Sequence, residues 1–187
     1  MKKVNFPIDK KKWKPSLIPG IIALISTYDL TGNPNIAPKS WIQMISFEPS
    51  ILMFSSSKDG TTEKNIEQTN CFSVNFIDSS LASITYNCIQ WHGNDRITKA
   101  GLTLTNAMKI NAPLIKECKA HLECQLVDTK EIGSGYVIFG EIVAASIWED
   151  ILNARPEDCY ELLDQIVFLE DNLFSRINRI QAVPKYK

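Results

Sequence analysis

Short β-branched runs broken by turn formers dominate this chain. Residues 21–27, Ile-Ile-Ala-Leu-Ile-Ser-Thr, lead into Tyr28-Asp29-Leu30-Thr31-Gly32-Asn33-Pro34-Asn35, a dense cluster of turn residues, so a strand followed by a turn is expected. The same texture predicts strands over 41–47, 51–56, 71–77, 120–127 and 136–147. Gly140, inside the last of these, predicts a bend or a backbone that something else approaches closely. Helical signals are fewer: 61–69, 79–89 and 156–169, the last with Pro156 suited to a first turn and Glu157 and Asp158 to the positive end of a helix. Strands with only a few inserted helices predict a mainly β chain. A closed or partly closed antiparallel barrel fits this order better than a doubly wound parallel sheet.

Composition narrows the class. The 187 residues carry 20 Lys+Arg against 21 Asp+Glu, a formal charge of −1, with 44% hydrophobic residues. A chain of this length buries roughly 70% of its unfolded surface, enough for one core without metal or disulfide staples, so one domain spanning 1–187 is expected. Near-neutrality argues against a protein that wraps nucleic acid. Lys2, Lys3, Lys10, Lys11, Lys12 and Lys14 crowd a basic arm over 1–15, with Trp13 the only ring set among the lysines of 10–14; a solvated arm is the expectation and anion binding the alternative. The longest apolar stretch, Ile21 to Ile25, falls far short of the ~20 residues of a spanning helix. Pro7, Asp9 and further lysines stand where a secretory signal needs an apolar run, so a cytoplasmic location is expected. Cys71, Cys88, Cys118, Cys124 and Cys159 are odd in number and form no C-x-x-C pair, which predicts reduced, mostly buried thiols.

Most catalytic motifs are missing. Gly133-Ser134-Gly135 does not become a dinucleotide loop, because Ile138 stands where the third glycine belongs and a strand follows. No G-x-x-x-x-G-K, H-E-x-x-H or G-x-S-x-G is present. Cys118, His121 and Cys124 invite a zinc reading, but a continuous strand would put His121 on the opposite face and hold the sulfurs ~20 Å apart. Core cysteines and a packed or surface histidine are therefore expected. The only other histidine is His92, and neither has a nucleophile motif beside it.

Two segments carry the chemistry that remains. Ser55-Ser56-Ser57-Lys58-Asp59-Gly60-Thr61-Thr62-Glu63-Lys64-Asn65-Ile66 sets hydroxyls at the end of a strand, then a turn, then a helix start with Thr61 as its expected cap. The free amides and positive end of such a helix attract phosphate. Lys64 in the first turn is unfavourable by a few tenths of a kcal/mol unless an anion binds there. A capped surface helix with mixed charges, Glu63 offsetting Lys64, explains the same residues. Upstream, Asn35-Ile36-Ala37-Pro38-Lys39-Ser40-Trp41 is small, polar and aromatic, lying between a turn and a strand. Ala37 and Ser40 would let a flat ligand reach the backbone, and Trp41 is either a wall for such a ring or a barrel-core residue.

Together these segments resemble the flavin reductase-like family, which binds FMN in a split barrel. The resemblance runs from about Trp13 to Trp148 through Ser26-Thr27-Tyr28-Asp29, Gly32, the Asn35–Trp41 stretch, Glu48-Pro49, and Thr62-Glu63-Lys64-Asn65-Ile66. It continues in Phe72-Ser73-Val74-Asn75, Gly101-Leu102, Ala112-Pro113, His121-Leu122-Glu123-Cys124 and Gly140-Glu141-Ile142-Val143. It implies an antiparallel Greek-key split barrel with inserted helices, and FMN as cofactor. Asn35, Ala37, Pro38, Lys39, Ser40 and Trp41 would lie along the isoalloxazine; Ser55, Ser56, Ser57, Thr61, Thr62 and Lys64 would hold the ribityl chain and phosphate, with Asn65 beside them. A homodimer with flavin near the subunit interface is implied too. The chain departs from the family in carrying Gly135-Tyr136 where many relatives have Gly-Asp-His, and the match fades beyond 150. The expected reaction is hydride transfer from NAD(P)H to the flavin, which needs position and polarity from the protein rather than a side-chain acid. His92 is the candidate contact to the nicotinamide. A flavoredoxin-like carrier fed by a protein partner, and a flavin-binding protein without turnover, are the alternatives. The segment 150–187 is expected to form a helix and tail that caps the barrel or meets a second subunit.

Overall fold

The computed structural model describes residues 1–6, 15–91, 95–177, 180–181 and 183–184. In chain order the elements are β1 (Gly20–Ile21), β2 (Ala23–Tyr28), β3 (Pro34–Lys39), β4 (Ile42–Phe47), β5 (Ser50–Ser57), α1 (Thr61–Thr69), β6 (Cys71–Phe76), a 3₁₀ turn (Ser79–Leu81), α2 (Ala82–Gln90) and α3 (Arg96–Ala100). There follow β7 (Leu104–Asn106), β8 (Pro113–Ile115), β9 (Ala120–Ile132), β10 (Gly135–Ile147), α4 (Glu149–Leu152), α5 (Pro156–Leu163), β11 (Ile166–Glu170) and β12 (Leu173–Arg176). Seven strands form one antiparallel sheet in the order β3-β2-β6-β9-β10-β5-β4. Its two edges, β3 and β4, share no ladder among the described residues. This is a split barrel, mainly β with inserted helices, as expected.

Both faces of β2 are covered, so Ile22, Ala23, Leu24 and Ile25 are all buried in succession rather than alternately. Ala23 and Ile25 face the barrel interior with Leu52, Phe54, Ile66, Phe72, Val74, Cys124 and Ile138. Phe54 and Phe72 meet edge to face at 5.2 Å. Ile22 and Leu24 belong to a second core with Ile36, Leu81, Cys88, Ile97, Ile115 and Ile166, formed under α2, α3 and β11. Each fully buried aliphatic or aromatic side chain contributes about 1.5–3 kcal/mol, so each cluster is a substantial source of stability. Between them a buried polar knot ties β2, β6 and β8. Asn75 Nδ2 donates to the Leu24 carbonyl and Ser26 Oγ, both at 2.8 Å, and Asn75 Oδ1 accepts from the Ile115 amide at 2.8 Å.

Several expectations are corrected here. The helix expected over 156–169 stops at Leu163, where Asp164 turns left-handed (φ 51°), and Ile166-Val167-Phe168-Leu169 pairs as β11 with β1 and β12. β-branched and aromatic residues with strand partners on both sides outweigh helix continuation. The segment 79–89 divides into a 3₁₀ turn and α2, and the strand over 120–127 runs on to Ile132 as one arm of a long hairpin. Pro34 to Lys39, read as turn and mixed segment, is the edge strand β3, where two prolines are tolerated because only β2 needs its amides. The cap of α1 is Gly60, not Thr61, which is the first helical residue. Among the described residues, no helix is long and apolar enough to cross a membrane.

Candidate functional site

The sequence runs β5 straight into the turn at 58–60 and then into α1, which docks against β2 and β3. Two side-chain bonds fix that docking: Asn65 Nδ2 donates to Thr27 Oγ1 at 3.0 Å, and Asn35 Nδ2 donates to Thr62 Oγ1 at 3.0 Å. The start of α1 is thereby held over the open edge of the barrel. A cleft of about 440 Å³ lies there, lined by β3 (Asn35, Ala37, Pro38, Lys39), the end of β5 (Ser57), the first turn of α1, and Cys88, Ile89 and Arg96 from α2 and α3.

Hydroxyl and amide side chains share this wall with the charged Lys39, Asp59, Glu63 and Arg96. Ser57 and Asn35 stand beside a helix start, formed by Thr61 and Thr62, whose first amides have no intrahelical acceptor. Lys39 reaches across the split and donates to Ser56 Oγ of β5, and its Nζ lies 3.7 Å from Glu63 Oε1. Burial lowers the Lys39 pKa below its ordinary value, against the pull of Glu63, and burial raises that of Glu63, against Lys39. Arg96 is spent on structure: Nε donates to the Trp91 carbonyl at 2.9 Å and another guanidinium nitrogen to the Ile36 carbonyl, lashing the end of α2 to β3.

Of the predicted residues, the structure brings Asn35, Ala37, Pro38, Lys39, Ser57, Thr61 and Thr62 to the cleft. Ser56 is buried behind Lys39, and Asn65 is buried in the brace to β2. Ser40 and Ser55 are half-buried beside the wall, the Ser55 amide donating to the Trp41 carbonyl at 3.2 Å. Trp41 is 71% exposed and belongs neither to a core nor to the lining. Lys64 is exposed in the first turn, outside the lining. His92 lies outside the described residues. Arg96, at the end of the 91–96 segment that loosely resembles a nicotinamide-side region of the family, and Gly60 with Glu63, within the 55–66 segment, line the cleft in addition to the residues expected there; the spacing of Gly60 and Glu63 is that of a helix cap and its N3 partner. His121 is structural, its Nε2 2.8 Å from the Ile115 carbonyl and Nδ1 3.1 Å from Ser146 Oγ. Cys118 and Cys124 sit in different cores, and burial pushes the Cys118 thiol up to about 12.

Comparison with known proteins agrees with this geometry. The flavin reductase like domain matches residues 16–164. The chain belongs to the flavin reductase-like family. A relative from Aquifex aeolicus, an uncharacterized protein, is 33% identical over 153 residues, covering 78% of each chain. Nitrilotriacetate monooxygenase component B from Bacillus cereus has the same fold, with TM-score 0.86 at 20% identity over 98% of both chains. So does flavoredoxin of Desulfovibrio vulgaris (Miyazaki F), with TM-score 0.81 at 20% identity over 98% of this chain and 97% of that one. Membership in the flavin reductase-like family makes the cofactor class a flavin and the reaction class oxidoreduction.

Proposed function

We propose that the cleft between β3, the end of β5 and α1 holds FMN, and that the protein is an NAD(P)H-dependent flavin reductase. The observation that carries this reading is the donor set at the split: Ser57, Thr61, Thr62 and Asn35 around the start of a nine-residue helix, beside a β3 wall kept shallow by Ala37. Such donors suit a polyhydroxyl chain ending in phosphate, and a small residue lets a flat ring approach the strand backbone. Asn35, Ala37, Pro38, Lys39 and Ser40 would line the ring, with Trp41 beyond them. Ser55, Ser56, Ser57, Thr61 and Thr62 would serve the ribityl phosphate, with Lys64 carried on the same turn and Asn65 bracing it. The flavin, when bound, supplies the hydride-accepting chemistry. The chain's own residues bind it, orient it and offer backbone donors near Ala37 to Trp41 toward charge that develops on the ring. No side chain is required as a catalytic acid.

The visible spectrum of the purified protein tests this directly. Protein titrated with FMN, FAD and riboflavin is expected to bind FMN, and anaerobic NADH or NADPH is expected to bleach the complex. Protein that ignores all three flavins overturns the reading. Bound flavin that neither nicotinamide bleaches, but a reduced protein donor does, assigns the chain to electron carriers instead.

A further inference from the structure

Glu63 is the anomaly of the cleft. It is 2% exposed, lines the cleft, and its carboxylate oxygens make no full hydrogen bond: burial, which raises its pKa, outweighs the pull of its own amide and of Lys39. Among the described residues its ion-pair partner is Lys39, whose Nζ lies 3.7 Å away and also donates a hydrogen bond to Ser56 Oγ. The carboxylate folds back over the start of its own helix, so that a Cβ on Gly60 would lie 1.9 Å from Glu63 Oε2. Glycine at 60 thus leaves room for this carboxylate position, which a Cβ would push aside. A negative group at this end of α1 is favoured by the helix dipole, and it is the place where an external anion would otherwise sit. The cleft lining already balances its charges, Lys39 and Arg96 against Asp59 and Glu63, and Arg96 is committed to backbone carbonyls.

We infer that Glu63 is a built-in anion occupying the anion subsite at the start of α1, and that it sets ligand selectivity by charge. A neutral polyhydroxyl ligand gives the orphaned oxygens the donors they lack. A phosphate dianion has to displace the carboxylate from Lys39 and the helix end, or bind beside it against like-charge repulsion. The inference rests on the flavin reading for the identity of the ligand, and on Glu63, Gly60 and Lys39 alone for the sign of the effect.

The test is Glu63→Gln, which keeps shape and removes charge, with Glu63→Leu as a second variant. Titrations are made at pH 8, where the phosphate, with a second pKa of about 6, is a dianion. FMN is expected to bind Glu63→Gln about 10-fold or more tightly than the parent, while riboflavin affinity changes by less than about 3-fold, the tenfold step corresponding to about 1.4 kcal/mol. Glu63→Leu is expected to shift the FMN-to-riboflavin ratio in the same direction. An unchanged or reduced ratio in a folded variant overturns the inference and leaves the flavin reading intact. Flavin binding by neither parent nor variants defeats the flavin reading instead, and inorganic phosphate then decides: it should raise the melting temperature of Glu63→Gln at concentrations that leave the parent unchanged. Equal responses would overturn the charge gate on its own terms.

Discussion

Asp29 organises the turn between β2 and β3. Its Oδ1 accepts from the Thr31 amide at 2.8 Å and the Asn33 amide at 2.9 Å, and Oδ2 accepts from Asn33 Nδ2 at 2.9 Å. The bonds from Asn33, and then from Thr31, lower its pKa from 3.8 to about 2. A carboxylate depressed in the folded state stabilises above its unfolded pKa and loses that contribution as pH falls through the folded one. Asp29→Asn is therefore expected to be less stable than the parent at neutral pH, and denaturant melts should show the gap closing between about pH 4 and pH 2. A gap that persists at pH 2 would show that the carboxylate's charge is not what holds the turn. Other residues of the family resemblance are equally structural. Asn75 knots three strands, Gly101 ends α3 at φ 65°, and Glu123 accepts from the amides of Met108 and Lys109 at 2.9 and 2.7 Å. Sequence alone could single these out, but not separate bracing residues from ligand-facing ones, because both demand a fixed side chain at a fixed place.

At the scale of elements, strands that bury both faces were plain in the sequence, since β-branched runs need no periodicity to declare themselves. The edge strand β3 was not, because Pro34 and Pro38 carry the chemistry of turns, and only its place at the split makes them acceptable. Likewise β11 follows a well-signalled helix start, and nothing local marks where α5 must stop; its partners decide that, β1 at Gly20–Ile21 near the other end of the chain and β12 a few residues downstream. Gly140 was legible for what it is. A Cβ there would lie 2.4 Å from Phe72 Cζ, at a register shift between β9 and β10, so the glycine admits the ring that packs on Phe54. Gly140→Ala is expected to destabilise by about 1–3 kcal/mol, as overpacking does. In a Phe72→Leu background the added cost should fall by at least half, because the ring edge that collides is gone. Additive losses across that double-mutant cycle would place the strain in the backbone instead.

For the molecule as a whole, the split that makes the cleft also leaves an edge strand dressed for company. Along β4 and just before it, Trp41, Met44, Ile45 and Phe47 all reach solvent, Phe47 being 88% exposed. An apolar edge of this kind is a liability for a lone chain and is normally covered. Trp41, at the start of this row, follows the cleft-lining Lys39 by two residues, which joins the row to the cleft wall along the chain. A second copy of the chain is the covering we propose; within the chain Trp41 is 71% exposed and joins neither core, so nothing in its own sequence neighbourhood marks its role. The expected result is a dimer by light scattering at micromolar concentration, and a monomer for Ile45→Asp/Phe47→Asp with unchanged far-ultraviolet circular dichroism. If flavin sits near that interface, the monomer should bind FMN at least about 10-fold more weakly, although neither substituted residue lines the cleft. A folded parent that is already monomeric would refute the pairing, and a monomeric variant with full FMN affinity would detach the cofactor from it.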